Sequence, residues 1–144
     1  MKKLLTILSL QVCLLLSCDS TLPDDPIPYV SFQNIEINLT NLQYQDLNTK
    51  GYLKIEGGVK GIIIYKDPFE SKYSAYERNC SYEPYSDCAT VEIDDSGLFM
   101  IDPCCNSQFN FENGFPIGGP ANSALRKYRT ILNGNFLVIT DEPL

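Results

Sequence analysis

Alternating hydrophobic and polar positions along residues 29–140 predict a series of short β-strands. Apolar residues at every second position are typical of a strand with one buried face, and Gly, Asn and Asp pairs between such runs are typical of tight turns. Residues 61–65, Gly-Ile-Ile-Ile-Tyr, form a continuous apolar run and predict a strand buried on both faces. The predicted strands cover residues 29–39, 52–55, 59–65, 73–77, 90–93, 98–101, 108–111, 125–132 and 136–140.

The predicted fold class is all-β: an antiparallel sandwich or barrel with cysteine loops and a proline-containing loop at one end. No convincing helix is found in residues 18–144, and residues 42–50 are interpreted as a polar connection. The Asn133-Gly134 pair favours a two-residue turn and predicts the closing hairpin. Residues 29–144 are expected to form one domain, because that length is sufficient to bury a hydrophobic core.

The first residues have the pattern of a processed lipoprotein signal. Residues 1–17 combine two lysines with an apolar segment too short to span a bilayer comfortably, and they predict a signal peptide. Residues 15–18, Leu-Leu-Ser-Cys, resemble the bacterial lipobox, so Cys18 is the expected lipidation site. The alternative is an ordinary secretory signal that happens to contain a cysteine. Residues 18–28, rich in Pro and Asp, predict a flexible tether.

The charge balance limits the partners that the chain is expected to bind. The formal net charge is −7, and removal of Lys2 and Lys3 with the signal lowers it to −9. An acidic surface argues against nucleic acid and anionic lipid headgroups as partners. Together with the signal and Cys18, the chain is expected to be a monomeric envelope protein that contacts a membrane through its lipid, on the periplasmic face or at the cell surface of the outer membrane. No protein partner is indicated.

The cysteines are the chemically distinctive residues of the chain, which contains no histidine. Cys13 leaves with the signal, so four cysteines besides the lipidated one remain in the predicted domain: Cys80, Cys88, Cys104 and Cys105. An even number of cysteines outside the cytoplasm favours disulfides. A bridge between adjacent cysteines is disfavoured, because neighbouring side chains in extended backbone point to opposite sides, and two pairings remain open.

Three segments resemble the Rieske family of iron-sulfur domains. Residues 102–109, Asp-Pro-Cys-Cys-Asn-Ser-Gln-Phe, match the Pro, one Cys, the Ser and the Phe of the family's second loop, Cys-Pro-Cys-His-Gly-Ser-x-Phe. Residues 80–82, Cys-Ser-Tyr, match the Cys of the first loop, Cys-x-His, and residues 119–121 match its Gly-Pro-Ala covering loop. The resemblance implies a Rieske-like β domain, and in the family this domain holds a 2Fe-2S cluster.

The resemblance also implies which residues stand at the cluster-ligand positions: Cys80, Tyr82, Asp102 and Cys105. A Rieske centre needs two histidines on one iron, so this chain cannot form one. In the family, the cysteine at the position of Cys104 forms a disulfide with a cysteine at the end of the first loop. The resemblance therefore implies the bridges Cys88–Cys104 and Cys80–Cys105.

Two other uses of the cysteines are less favoured. The spacing Cys-x7-Cys-x15-Cys-Cys lacks the Cys-x2-Cys pairs typical of an all-thiolate zinc or iron-sulfur site. A redox-active thiol is disfavoured because no Cys-x-x-Cys motif or histidine is available to lower a cysteine pKa. The expected function is a non-enzymatic, disulfide-stabilised structural or interaction module without a cofactor. The alternative, implied by the resemblance, is electron transfer through a 2Fe-2S cluster.

Overall fold

The structure is a computed structural model that describes residues 24–144. The predicted signal peptide and Cys18 lie outside these residues. Within residues 24–144, no helix has both the length and the apolar character needed to cross a membrane.

The larger of two sheets has six antiparallel strands in the order β1-β10-β9-β4-β3-β2. The strands are β1 (Ile35–Asn38), β2 (Tyr52–Ile55), β3 (Ile62–Lys66), β4 (Tyr73–Glu77), β9 (Lys127–Asn133) and β10 (Phe136–Pro143). The predicted closing hairpin is present, but its two turn residues are Gly134 and Asn135, one position later than predicted, since Asn133 of β9 pairs with Phe136 of β10. The all-β prediction is therefore confirmed.

The smaller sheet has four antiparallel strands in the order β5-β6-β7-β8. They are β5 (Glu92–Ile93), β6 (Met100–Ile101), β7 (Gln108–Phe109) and β8 (Pro116–Gly118). Strand β8 was not predicted, because its Pro and Gly residues are typical of a loop. It pairs with β7 at the edge of the sheet, where a strand has a neighbour on one side only and a proline therefore need not disrupt the pairing.

Two hydrophobic cores lie on opposite faces of the large sheet. The side chain of Ile63 enters one core together with Tyr76 and Phe109, and those of Ile62 and Ile64 enter the other. All three isoleucines are completely buried, so β3 is covered on both faces as its continuous apolar run predicted. Each buried isoleucine contributes about 1.5–3 kcal/mol of hydrophobic stabilisation.

The prediction of no helix was wrong for residues 42–50. A 3-10 turn (Leu42–Tyr44) leads into the short helix α1 (Gln45–Thr49), and the side chain of Asn41 caps the turn by accepting from the backbone N–H of Gln43. Leu47 is completely buried and packs in the second core. One apolar residue in a single helical turn gives no detectable period, so the pattern of the sequence is that of a loop.

The first strand begins at Ile35 rather than at residue 29 as predicted. Residues 24–28, predicted to be part of a flexible tether, contact the domain. The carboxylate of Asp24 accepts hydrogen bonds from the backbone N–H groups of Asn122 and Ser123, each at 2.7 Å. Ile27 is almost fully buried, and its carbonyl accepts from Arg126. A carboxylate that pairs with two backbone donors holds this segment in place, and composition alone does not indicate such a contact.

Candidate thiol–carboxylate site

Three loops meet at the end of the small sheet. The first cysteine loop (residues 80–88) follows β4, the second cysteine loop (residues 102–107) connects β6 to β7, and the proline loop (residues 119–125) follows β8. A disulfide joins Cys88 to Cys104, which confirms the first of the two implied bridges. This bridge ties the end of the first cysteine loop to the second.

Three of the four predicted ligand positions converge between these loops. One donor atom from each of Cys80, Asp102 and Cys105 lies within 4.8 Å of the other two. Cys80 and Asp102 are completely buried, whereas Cys105 is partly exposed. We call these three residues the thiol–carboxylate site.

The second implied bridge, Cys80–Cys105, is not formed in the structure. The two sulfurs lie 3.9 Å apart, almost twice the length of a disulfide bond, and both residues are thiols. The Cys105 thiol instead lies 3.3 Å from Oδ2 of Asp102 and 3.0 Å from Oγ of Ser107. The resemblance thus correctly places the two cysteines face to face, but hydrogen bonds rather than a covalent bond hold Cys105.

The backbone of the second cysteine loop orients Asp102 and Cys105. The N–H of Asn106 donates to the Asp102 carbonyl at 2.7 Å, and the N–H of Asp102 donates to the Ser107 carbonyl at 2.9 Å. Asn106 has a φ of 60°, a left-handed conformation that Asn tolerates better than most residues. This tight turn presents the Asp102 carboxylate and the Cys105 thiol to the same side.

The proline loop closes over the second cysteine loop at close range. A Cβ atom on Gly119 would lie 2.5 Å from both the Asn106 carbonyl oxygen and the Cα of Ser107, so only glycine fits there. The Ser107 hydroxyl also accepts a hydrogen bond from the backbone N–H of Ala121 at 3.1 Å. Ser107 therefore contacts both the site and its cover.

Burial controls the protonation of the deeper thiol. Burial, followed by the nearby Asp102 carboxylate, raises the pKa of Cys80 far above its ordinary value. Both effects disfavour a thiolate, because a buried charge is poorly solvated and an adjacent negative charge repels it. Cys80 is therefore a neutral thiol at physiological pH as long as no cation is bound.

Tyr82, the fourth matched position, lies outside the group of three donors. Its ring packs partly buried against the core that contains Cys80, and its hydroxyl makes no hydrogen bond to the other three matched residues. The neighbouring Glu83 carboxylate is the main cause of the raised pKa of Tyr82. Tyr82 thus remains a neutral phenol beside the site.

Two residues that the sequence did not identify support the first cysteine loop. The ammonium of Lys60 donates to the carbonyls of Ser86 at 2.7 Å, Asp87 at 3.0 Å and Ala89 at 3.1 Å. Glu77 accepts from the backbone N–H of Asn79, immediately before Cys80. Neither lies in a recognisable motif. Ser107, in contrast, belongs to the Ser-x-Phe part of residues 102–109, which resemble the second loop of the Rieske family. This match indicates that Ser107 lies at the site.

The solved structures that resemble this fold include a Rieske protein and a chain from an oxygenase–ferredoxin complex. The plasma membrane Rieske protein PetC3 from Synechocystis PCC 6803 is 22% identical, with a TM-score of 0.58, over 74% of this chain and 98% of that one. A chain from the complex of reduced oxygenase and oxidized ferredoxin in carbazole 1,9a-dioxygenase is 14% identical, with a TM-score of 0.53, over 76% of this chain and 96% of that one. No protein-family model and no curated protein sequence matches the chain.

The residues present do not fit a Rieske cluster. Such a cluster has two cysteines on one iron and two histidines on the other, whereas the matched positions here carry two cysteines, one aspartate and one tyrosine. The resemblance matches Cys80 and Cys105 to a cysteine position and a histidine position, and in a Rieske centre these ligate different irons. Their sulfurs are 3.9 Å apart, a spacing that suits a single tetrahedral ion.

The order of the strands, the three converging loops, the Cys88–Cys104 disulfide and the two structural neighbours agree with one another. The chain contains a Rieske-like domain.

Proposed function

We propose that this chain is a cluster-free Rieske-like module with a structural or interaction role and no enzymatic activity. The observation that carries the proposal is the 3.9 Å separation of the Cys80 and Cys105 sulfurs, together with the hydrogen bonds of Cys105 to Asp102 and Ser107. Donors that contact one another in this way do not leave space for two irons and their bridging sulfides. The lack of histidine removes the usual ligands of the second iron.

A lipid on Cys18 would hold this module at a bacterial envelope membrane. Residues 19–23 separate Cys18 from Asp24, and a fully extended chain of that length spans roughly 20 Å. Asp24 binds the backbone of Asn122 and Ser123 in the proline loop. The proposed anchor therefore keeps the three-loop end of the domain close to the membrane surface, and the acidic charge of the chain disfavours nucleic acid as a partner.

Metal and sulfide analysis of the purified full chain tests the absence of a cluster. The chain, purified in detergent under anaerobic conditions, is expected to be colourless and to contain no stoichiometric iron or acid-labile sulfide. Visible absorption together with two irons and two sulfides per chain would overturn the proposal. The Cys105→Ser variant serves as the control, because a cluster bound at this site would be lost from it.

Electron transfer through an iron-sulfur cluster is the second candidate function. Its support is the convergence of three potential iron ligands, with donor atoms within 4.8 Å of one another, at the end of the domain where the resemblance places the cluster. The same iron and sulfide measurement separates the two candidates, since electron transfer requires the cluster and the proposed module excludes it.

A further inference from the structure

Two of the three donor–donor distances in the thiol–carboxylate site are close to those of a single-metal site, and all three donor atoms lie within 4.8 Å of one another. Two sulfurs bound to one tetrahedral Zn²⁺ at about 2.3 Å lie about 3.8 Å apart, and a bound sulfur and oxygen lie about 3.6 Å apart. The Cys80 and Cys105 sulfurs are 3.9 Å apart, and the Cys105 sulfur is 3.3 Å from Oδ2 of Asp102. We propose that these three residues bind one Zn²⁺ ion.

Neighbouring groups already orient two of the three donors, Cys105 and Asp102. The backbone N–H of Ser107 points to the Cys105 sulfur at 3.4 Å, and the Ser107 hydroxyl lies 3.0 Å from the same atom. The N–H of Cys104 donates to Oδ1 of Asp102 at 2.8 Å, which leaves Oδ2 directed toward Cys105. Donors to a ligand sulfur and a fixed carboxylate are typical of the groups that surround a bound metal.

The charge of the site also favours a cation. Asp102 is completely buried, yet among the described residues no Lys or Arg forms an ion pair with it. The Cys80 thiol is equally buried, and its sulfur lies 3.9 Å from the Cys105 sulfur. Binding of Zn²⁺ displaces the two thiol protons to solvent, so that two thiolates and one carboxylate surround a charge of +2. The ion thus provides a positively charged partner for the buried Asp102 carboxylate.

The chemical types of the three donor atoms determine which metal ion the site prefers. Two thiolates and one carboxylate favour Zn²⁺ over Mg²⁺ and Ca²⁺, which prefer oxygen ligands alone. Three protein ligands leave the fourth tetrahedral position open, as in zinc sites that bind water or a small molecule. Cys105 is the partly exposed member of the site, so solvent reaches the site beside this residue.

Metal binding by the reduced full chain tests the inference. After anaerobic reduction and equilibration with Zn²⁺, the wild-type chain is expected to retain one zinc, and Co²⁺ in its place should show the absorption of a tetrahedral thiolate complex. Cys105→Ser should weaken binding by about 100-fold or more, since it removes a direct ligand. Ser107→Ala keeps all three ligands and should weaken binding by about 10- to 100-fold. Asp95→Asn, a change at an exposed carboxylate, should leave binding unaltered.

Two results would overturn the inference: a reduced wild-type chain that retains no zinc, or a Cys105→Ser chain that binds zinc as tightly as the wild type. The second outcome would place the ion at residues other than those of the thiol–carboxylate site. Circular dichroism of each variant verifies that it is folded. The result is distinguishable from that of the proposed function, because a chain without zinc, iron and sulfide contradicts only the zinc site.

Discussion

The buried Glu77 carboxylate holds the backbone of Asn79, the residue immediately before Cys80. Glu77 ends β4 and is completely buried. Its Oε1 accepts from the backbone N–H groups of Lys60 and Asn79, each at 3.0 Å, and its Oε2 accepts from the N–H of Val59 at 2.8 Å and the Tyr128 hydroxyl at 2.7 Å. Four donors from three parts of the chain therefore converge on one carboxylate.

We expect Glu77→Gln to lower the free energy of unfolding by about 3 kcal/mol. The better orientation of the amide keeps its oxygen at the Oε1 position and places its NH₂ at the Oε2 position. Tyr128 then accepts instead of donating, but the N–H of Val59 faces another donor and is unpaired, which costs about 1–3 kcal/mol. The bonds that remain also change from charge-assisted to neutral, at about 1 kcal/mol each, and relief from burying a charge offsets part of the loss.

Urea unfolding followed by circular dichroism measures this loss. Tyr128→Phe is the matched variant, because it removes one of the four hydrogen bonds and keeps the carboxylate, and it should cost about 1–2 kcal/mol. Glu112→Gln, at an exposed position, should be neutral. A Glu77→Gln chain within about 0.5 kcal/mol of the wild type would refute the reasoning, since a surface substitution produces an effect of that size.

Two further predictions concern the disulfide and the buried phenols. Because the Cys88–Cys104 bridge spans 16 residues, replacing both cysteines with serine should lower the free energy of unfolding by about 3 kcal/mol, measured by urea unfolding; an unchanged midpoint would contradict this. Burial raises the pKa of Tyr76 to about 12, and burial and the hydrogen bond to Glu77 raise that of Tyr128 further. Both phenols are neutral when folded, so their contribution to stability is complete below about pH 10 and is lost as the pH rises above that value. Ultraviolet titration should show these two tyrosines ionising after the exposed ones, and a single transition near pH 10 in the folded chain would contradict the prediction.

The strands were predictable from the sequence where local pattern and tertiary packing agree. The run of Ile62, Ile63 and Ile64 predicts a strand covered on both faces, and two cores do cover it. Helix α1 was not predictable, because its formation depends on one buried side chain, Leu47, filling a space that other elements create. The contact of Asp24 with the proline loop is of the same kind, since it joins residues almost a hundred positions apart.

In the candidate site, too, the sequence predicted which residues meet but not the distances between their atoms. The resemblance correctly assigned Cys88 to Cys104 and placed Cys80 opposite Cys105, because loop order and motif position determine which cysteines meet. Whether two facing thiols form a bond, share an ion or remain apart depends on differences of about 2 Å, and these are determined by hydrogen bonds that the motif does not encode. Here Asp102, which the resemblance matches to a ligand cysteine, accepts a hydrogen bond from the Cys105 thiol at 3.3 Å. The motif match therefore indicates which side chains meet at the site, whereas the hydrogen bonds of Asp102 and Ser107 determine where the Cys105 sulfur lies.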